Sequence, residues 1–155
     1  MACVSVLLAA SALPAQKASY ELFGKGCEDT SFTVKGLPVL GQTYTLVLGK
    51  TSTPPAQPLA ILALGGSNTS WGPFPLPIDL APLGAKGCML LVSVDMTFAP
   101  YPTTPTGLEL PIKLPADKRL AGITFFQQFF VLSPHNNWFR FSTTNGGKGV
   151  TGVTG

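Results

Sequence analysis

No apolar run in this sequence goes far before a glycine or proline cuts it, and that punctuation constrains the fold more than any other feature. Seventeen glycines and fifteen prolines are spread through 155 residues. Proline fixes φ and lacks a backbone donor, and glycine weakens a helix interior. Accordingly, no stretch keeps a 3.6-residue apolar period over a useful length. What remains are short segments rich in β-branched and aromatic residues, bounded by turn residues. Tyr20–Phe23 is one, Thr30–Lys35 ending at Gly36 is another, and Thr43–Leu48 lies between Gly41 and Gly49. Leu59–Leu64 is a continuous apolar run stopped by Gly65-Gly66 and reads as a strand buried on both faces. Cys88–Phe98 reads as a long strand broken by the prolines of Pro100–Pro105, and Leu108–Leu114 as an edge strand because it carries Pro111. Trp138–Ser142 and Gly149–Val153 close the chain. The pattern predicts an all-β fold, a single antiparallel β-sandwich of jelly-roll or Ig-like type with about eight or nine strands.

Lys118–Leu132 is the longest strand candidate. Ile123, Phe125, Phe129 and Val131 share one face with Gln127, while Phe126, Phe130 and Leu132 share the other with Gln128. Both faces are apolar, so this strand is either central in the fold or covered by a partner.

The first fifteen residues, Met1–Ala15, form a short apolar run ending in small residues, as a secretory signal peptide does. Ala10-Ser11-Ala12 fits a cleavage site, and cleavage after Ala15 fits as well, which leaves 16–155 as one domain. The run is too short to span a bilayer, so no membrane span is expected in the mature chain. Cys3 leaves with the leader. Cys27 and Cys88 remain, and in an exported chain they either pair, closing a loop of 61 residues, or stay as two buried free thiols.

Composition excludes several classes of function. Charged residues make up only 11% of the chain, and the net charge is +3. Lys17, Lys25, Lys35, Lys50, Lys86, Lys113 and Lys148 are scattered, with only Lys118-Arg119 adjacent, so there is no basic stripe for nucleic acid. His135 is the only histidine and lies in a turn-like Ser133-Pro134-His135-Asn136-Asn137 segment, and no G-x-S-x-G elbow exists. The acids stand singly apart from Glu28-Asp29, where loop oxygens offer weak support for calcium. Asp79 reads as a turn or cap residue. No enzyme activity, cofactor or metal site is expected. The candidate ligand residues are Trp71, Tyr101 and Trp138, aromatics in or beside proline-rich loops that either stack on sugar rings or pack the ends of the sandwich. Asn68-Thr69-Ser70 matches the glycosylation acceptor pattern.

A set of motifs carries a resemblance. Phe23-Gly24-Lys25-Gly26-Cys27 is followed by Leu76-Pro77-Ile78-Asp79-Leu80 and by Gly84-Ala85-Lys86-Gly87-Cys88-Met89-Leu90. Leu110-Pro111-Ile112, Leu120-Ala121-Gly122 and the aromatic stretch Phe125–Leu132 with Gln128 come after them. In this order they resemble an uncharacterised domain family of secreted proteins of environmental bacteria, often placed at the C-terminus of larger exported chains. The resemblance covers most of the chain after the leader. It implies an extracellular β-domain with Cys27 and Cys88 paired, and it implies no activity. Phe125-Phe126-Gln127-Gln128-Phe129-Phe130 is bulkier than the family pattern.

Together these features lead to the expectation of a secreted, non-enzymatic structural or interaction protein. It would be a self-associating subunit of an extracellular fibre or surface assembly, with Lys17–Phe23 lent to a neighbour's sheet edge. The alternative is a carbohydrate- or surface-binding module using the loop aromatics.

Overall fold

The computed structural model describes residues 16–49, 58–104, 106–135 and 138–154. The expected leader, with Cys3 and both cleavage positions, lies outside them. Twelve strands are found in the described residues: β1 (Ser19–Phe23), β2 (Phe32–Lys35), β3 (Thr43–Leu48), β4 (Leu59–Gly65), β5 (Ser70–Trp71), β6 (Phe74–Pro75), β7 (Ile78–Asp79), β8 (Met89–Leu90), β9 (Met96–Pro102), β10 (Leu108–Lys113), β11 (Thr124–His135) and β12 (Trp138–Val150). The expected all-β fold is what forms. Four of the strands are two-residue pieces, and the eight longer ones make two antiparallel sheets.

The larger sheet has five strands in the order β1-β12-β11-β4-β9, and the smaller has three in the order β10-β3-β2. Their facing sides meet in one core. Phe32, Tyr44, Leu46 and Leu48 from the small sheet pack against Ala60, Leu62, Phe129 and Val131 from the large one. Phe32 and Phe129 meet edge to face, ring centroids 5.5 Å apart. β4 lies between β11 and β9, which explains its unbroken apolar sequence. β10 is an edge, as Pro111 requires.

Both faces of β11 are covered by its own chain. One faces the small sheet. Against the other lies a layer made by residues 76–94, where Leu80, Ala85, Cys88 and Leu90 cluster with Cys27, and Phe130 packs against that cluster. Val92 joins Ala63 and Phe126 beside it. Cys27 and Cys88 are joined by a disulfide, Cα atoms 5.0 Å apart. The Thr143 N–H points at Cys27 Sγ from 3.2 Å, so the bridge sits directly on β12. Asp79 has the expected turn role, its carboxylate accepting the Ala81 N–H at 2.9 Å. That bond starts a 3-10 turn over Ala81–Leu83, which ends at left-handed Gly84.

Three expectations about the strands are corrected. Cys88–Phe98 is not one strand: after Leu90 the backbone donors leave the ladder, Leu91 N–H going to the Gln128 side chain, Ser93 N–H to the Ser67 carbonyl and Asp95 N–H to the Leu64 carbonyl. The strand that follows, β9, runs through Pro100 to Pro102 instead of breaking there, because an edge strand can spare the donors that proline lacks. Lys118–Leu132 starts with a 3-10 turn over Lys118–Leu120, with Asp117 accepting the Arg119 N–H, and becomes extended only at Thr124.

The third correction concerns the end of the chain. Trp138–Ser142 and Gly149 belong to a single thirteen-residue strand. The Gly146-Gly147 pair inside it looks like a turn but acts as a set of slots. A methyl group at Gly146 would overlap the Phe23 ring, one at Gly147 the Tyr20 ring, and one at Gly149 the Phe125 ring. Aromatic side chains of the neighbouring strands lie flat over the bare backbone there, supplying the packing that glycine lacks.

Candidate functional site

The two sheets are unequal in width, and the site follows from that. Three strands cannot cover five, so the inner face of the large sheet is left partly open on its β4–β9 side. On β9, Met96 and Phe98 lie opposite Leu64 and Leu62, on the side that faces the core, yet they remain 55% and 38% exposed. Between this uncovered face and strand β10 lies a cavity of about 470 Å³, open to solvent. Its walls are almost entirely apolar, with Leu62 and Leu64 from β4, Leu110 and Ile112 from β10, and Phe98 and Phe125 among the rings. Among the described residues Lys113 is the only charged one on the lining, and it is exposed.

A buried amide stands at the inner wall. Gln127 lines the cavity and is 2% exposed. Its Oε1 accepts the Tyr20 hydroxyl at 2.9 Å and the Tyr44 hydroxyl at 3.3 Å. Both phenols are held by rings: Tyr20 and Tyr44 have centroids 6.1 Å apart, and each stands 6.3 Å from Phe125. Tyr20 reaches this position across the bare backbone of Gly147. Burial raises the Tyr20 hydroxyl well above the ordinary phenol range, with Tyr44 adding to the effect. Burial likewise pushes Tyr44 up to about 12, against the smaller opposing pull of its bond to Gln127. Both phenols therefore remain donors at any physiological pH. With both phenol hydroxyls donating to Oε1, Nε2 has no hydrogen-bond partner among the described residues.

The adjacent glutamine does the opposite job. Gln128 is fully buried on the other face, where Nε2 donates to the carbonyls of Met89 at 2.9 Å and Thr144 at 2.8 Å, and Oε1 accepts the Leu91 N–H at 3.0 Å. It is satisfied on every side and holds the 76–94 layer to the large sheet.

The candidate aromatics named from sequence go to different places. Tyr101 lines the cavity. Trp71 pairs across the β5–β6 hairpin with Phe74, exposed and away from the cavity. Trp138 pairs with His135 at the far end of β11 and β12, and both side chains lie outside the described residues. Glu28 and Asp29 hold the two left-handed positions of a turn closed by Thr30 N–H to the Cys27 carbonyl. No group of three potential metal ligands occurs among the described residues.

The sequence did carry a signal for the cavity's polar group: Gln127 is a polar residue on an otherwise apolar face. Its partners Tyr20 and Tyr44 lie 107 and 83 residues away, and no local pattern links them to it. No helix among the described residues is long and apolar enough to cross a membrane. No protein-family model, curated protein or solved structure matches the chain.

Proposed function

We propose that this chain is an extracellular, non-catalytic binding domain that takes a small apolar molecule between its sheets. The observation carrying this reading is the 470 Å³ apolar cavity, a size within the roughly 300–1,000 Å³ of small-molecule sites. The disulfide is compatible with the extracellular setting. Titrating the purified protein with the fluorescent probe N-phenyl-1-naphthylamine tests it. Saturable enhancement is expected, and it should be lost in Leu64→Trp and Leu110→Trp, two variants that fill the cavity from opposite walls. A protein that gives no saturable signal, or variants that bind as well as wild type, would overturn it.

Self-association is the second reading, favoured by the exposed apolar residues Met96, Phe98 and Ile123 around the cavity mouth. Strand lending by Lys17–Phe23 fits less well, since Ser19–Phe23 pairs with β12 of the same chain along five residues. The open edges also carry Pro100, Pro102, Pro111, Lys35 and Lys113, residue types that oppose edge-to-edge pairing. A contact through the mouth would instead show in sedimentation velocity as a concentration-dependent dimer that Met96→Ser with Phe98→Ser abolishes.

A further inference from the structure

Resting on the reading of the cavity as a ligand site, we infer that its ligand is an uncharged, mainly apolar molecule with a carbonyl-type oxygen, which Gln127 Nε2 recognises. A buried amide N–H without an acceptor is costly, and no acceptor is found for this one among the described residues. The two phenol hydroxyls occupy Oε1, so the free side of the amide offers donors only. A ligand group matching it must accept a hydrogen bond, which excludes alcohol or amine protons as the recognised feature.

Charge is argued by the remaining walls. Among the described residues no ionised side chain but Lys113 lines the cavity, and Lys113 is exposed. An ionised ligand group placed beside Gln127 would be stripped of water with no countercharge, a cost that a neutral ketone, lactone or amide carbonyl avoids. The rest of the molecule contacts mainly Leu, Ile and Phe side chains, which reward apolar surface, while Tyr101 adds a hydroxyl to the lining away from Gln127 in sequence. The site thus reads one oxygen at its inner wall and otherwise mainly shape.

A matched pair of ligands tests this. Benzophenone and diphenylmethane have nearly the same shape and differ by the carbonyl oxygen. Each is used to displace N-phenyl-1-naphthylamine from the purified protein. Benzophenone is expected to compete about 3- to 10-fold more tightly, the range of one neutral hydrogen bond. Gln127→Leu should bring the pair to parity. If that variant is unfolded, the wild-type protein still answers: benzophenone should move the Gln127 side-chain amide resonance in a ¹⁵N-correlated spectrum, and diphenylmethane should leave it in place. Equal competition by the two compounds, or an amide resonance indifferent to benzophenone, would overturn the inference and leave water as the amide's partner, while intact probe binding would still support the cavity as an apolar site. Loss of all probe binding in wild type would instead defeat the site itself.

Discussion

Gln128 Nε2 donates to the Met89 carbonyl at 2.9 Å, and this contact crosses from the central strand of the large sheet to the layer that covers it. The same amide also takes the Leu91 N–H and reaches the Thr144 carbonyl, so one side chain completes three backbone groups on two elements. Gln128→Leu keeps the volume and removes this partner from all three groups, the Met89 carbonyl alone retaining the Thr143 hydroxyl at 3.1 Å. The expected loss is about 3 kcal/mol or more, read as a lower urea midpoint. A variant as stable as wild type would mean that the 76–94 layer is held by its apolar contacts alone.

The disulfide ties the same layer to the chain's first turn. It closes 61 residues of separation, for which chain entropy gives a stabilisation of about 4 kcal/mol. Reductant should lower the melting temperature sharply, and Cys27→Ala with Cys88→Ala should reproduce the reduced protein. Indifference of the melting temperature to reductant would remove the bridge from the account of the fold.

Alkali should destabilise the protein through the two buried phenols. The unfolded chain releases those protons near pH 10, the ordinary tyrosine value, whereas burial holds them on in the folded state, to about pH 12 for Tyr44 and higher for Tyr20. Above pH 10 the folded state therefore binds more protons, and stability falls as pH rises, by about 1.4 kcal/mol per pH unit for each tyrosine. Below pH 10 their contribution is complete and flat. Urea midpoints at pH 9 and pH 11 measure the slope, and Tyr44→Phe should roughly halve it. Equal midpoints would contradict the burial of these hydroxyls.

Gly149→Ala places a methyl group against the Phe125 ring and should cost about 1–3 kcal/mol. In a Phe125→Leu background the same substitution should cost much less, because the ring is gone. A double-mutant cycle with no coupling would show that Gly149 matters for its backbone alone.

Most of the architecture could be read from local pattern. Glycine and proline spacing predicted short strands, period-two alternation placed Gln127 and Gln128 on opposite faces of β11, and Pro111 marked an edge. What misled were residues whose local preference was overruled by distant partners. Gly146-Gly147 has the composition of a turn, yet it lies within β12 because Phe23 and Tyr20 lie over it. Leu91 to Val94 has the composition of a strand but bonds to a side chain and to loops. The apolar second face of β11 left a central place and a partner subunit both open, and the chain's own 76–94 layer covers it. The cavity could not be read at all, since it depends on the difference in width between two sheets whose strand order no local pattern encodes.

Adjacent glutamines facing opposite layers also act as a gauge of alignment. A slip of β11 by one position against its neighbours would turn Gln128 toward the cavity and Gln127 toward the disulfide-tied layer, while exchanging one set of phenylalanines for the other. Apolar residues on both faces would tolerate that exchange poorly but without a sharp penalty. The amides would not tolerate it, because such a slip keeps a glutamine at only one of the two places and sets Phe126 against the phenols or Phe129 against the backbone groups that Gln128 serves. The dipeptide at the centre of the strand thus selects a single alignment for a segment whose greasy sequence would otherwise permit two.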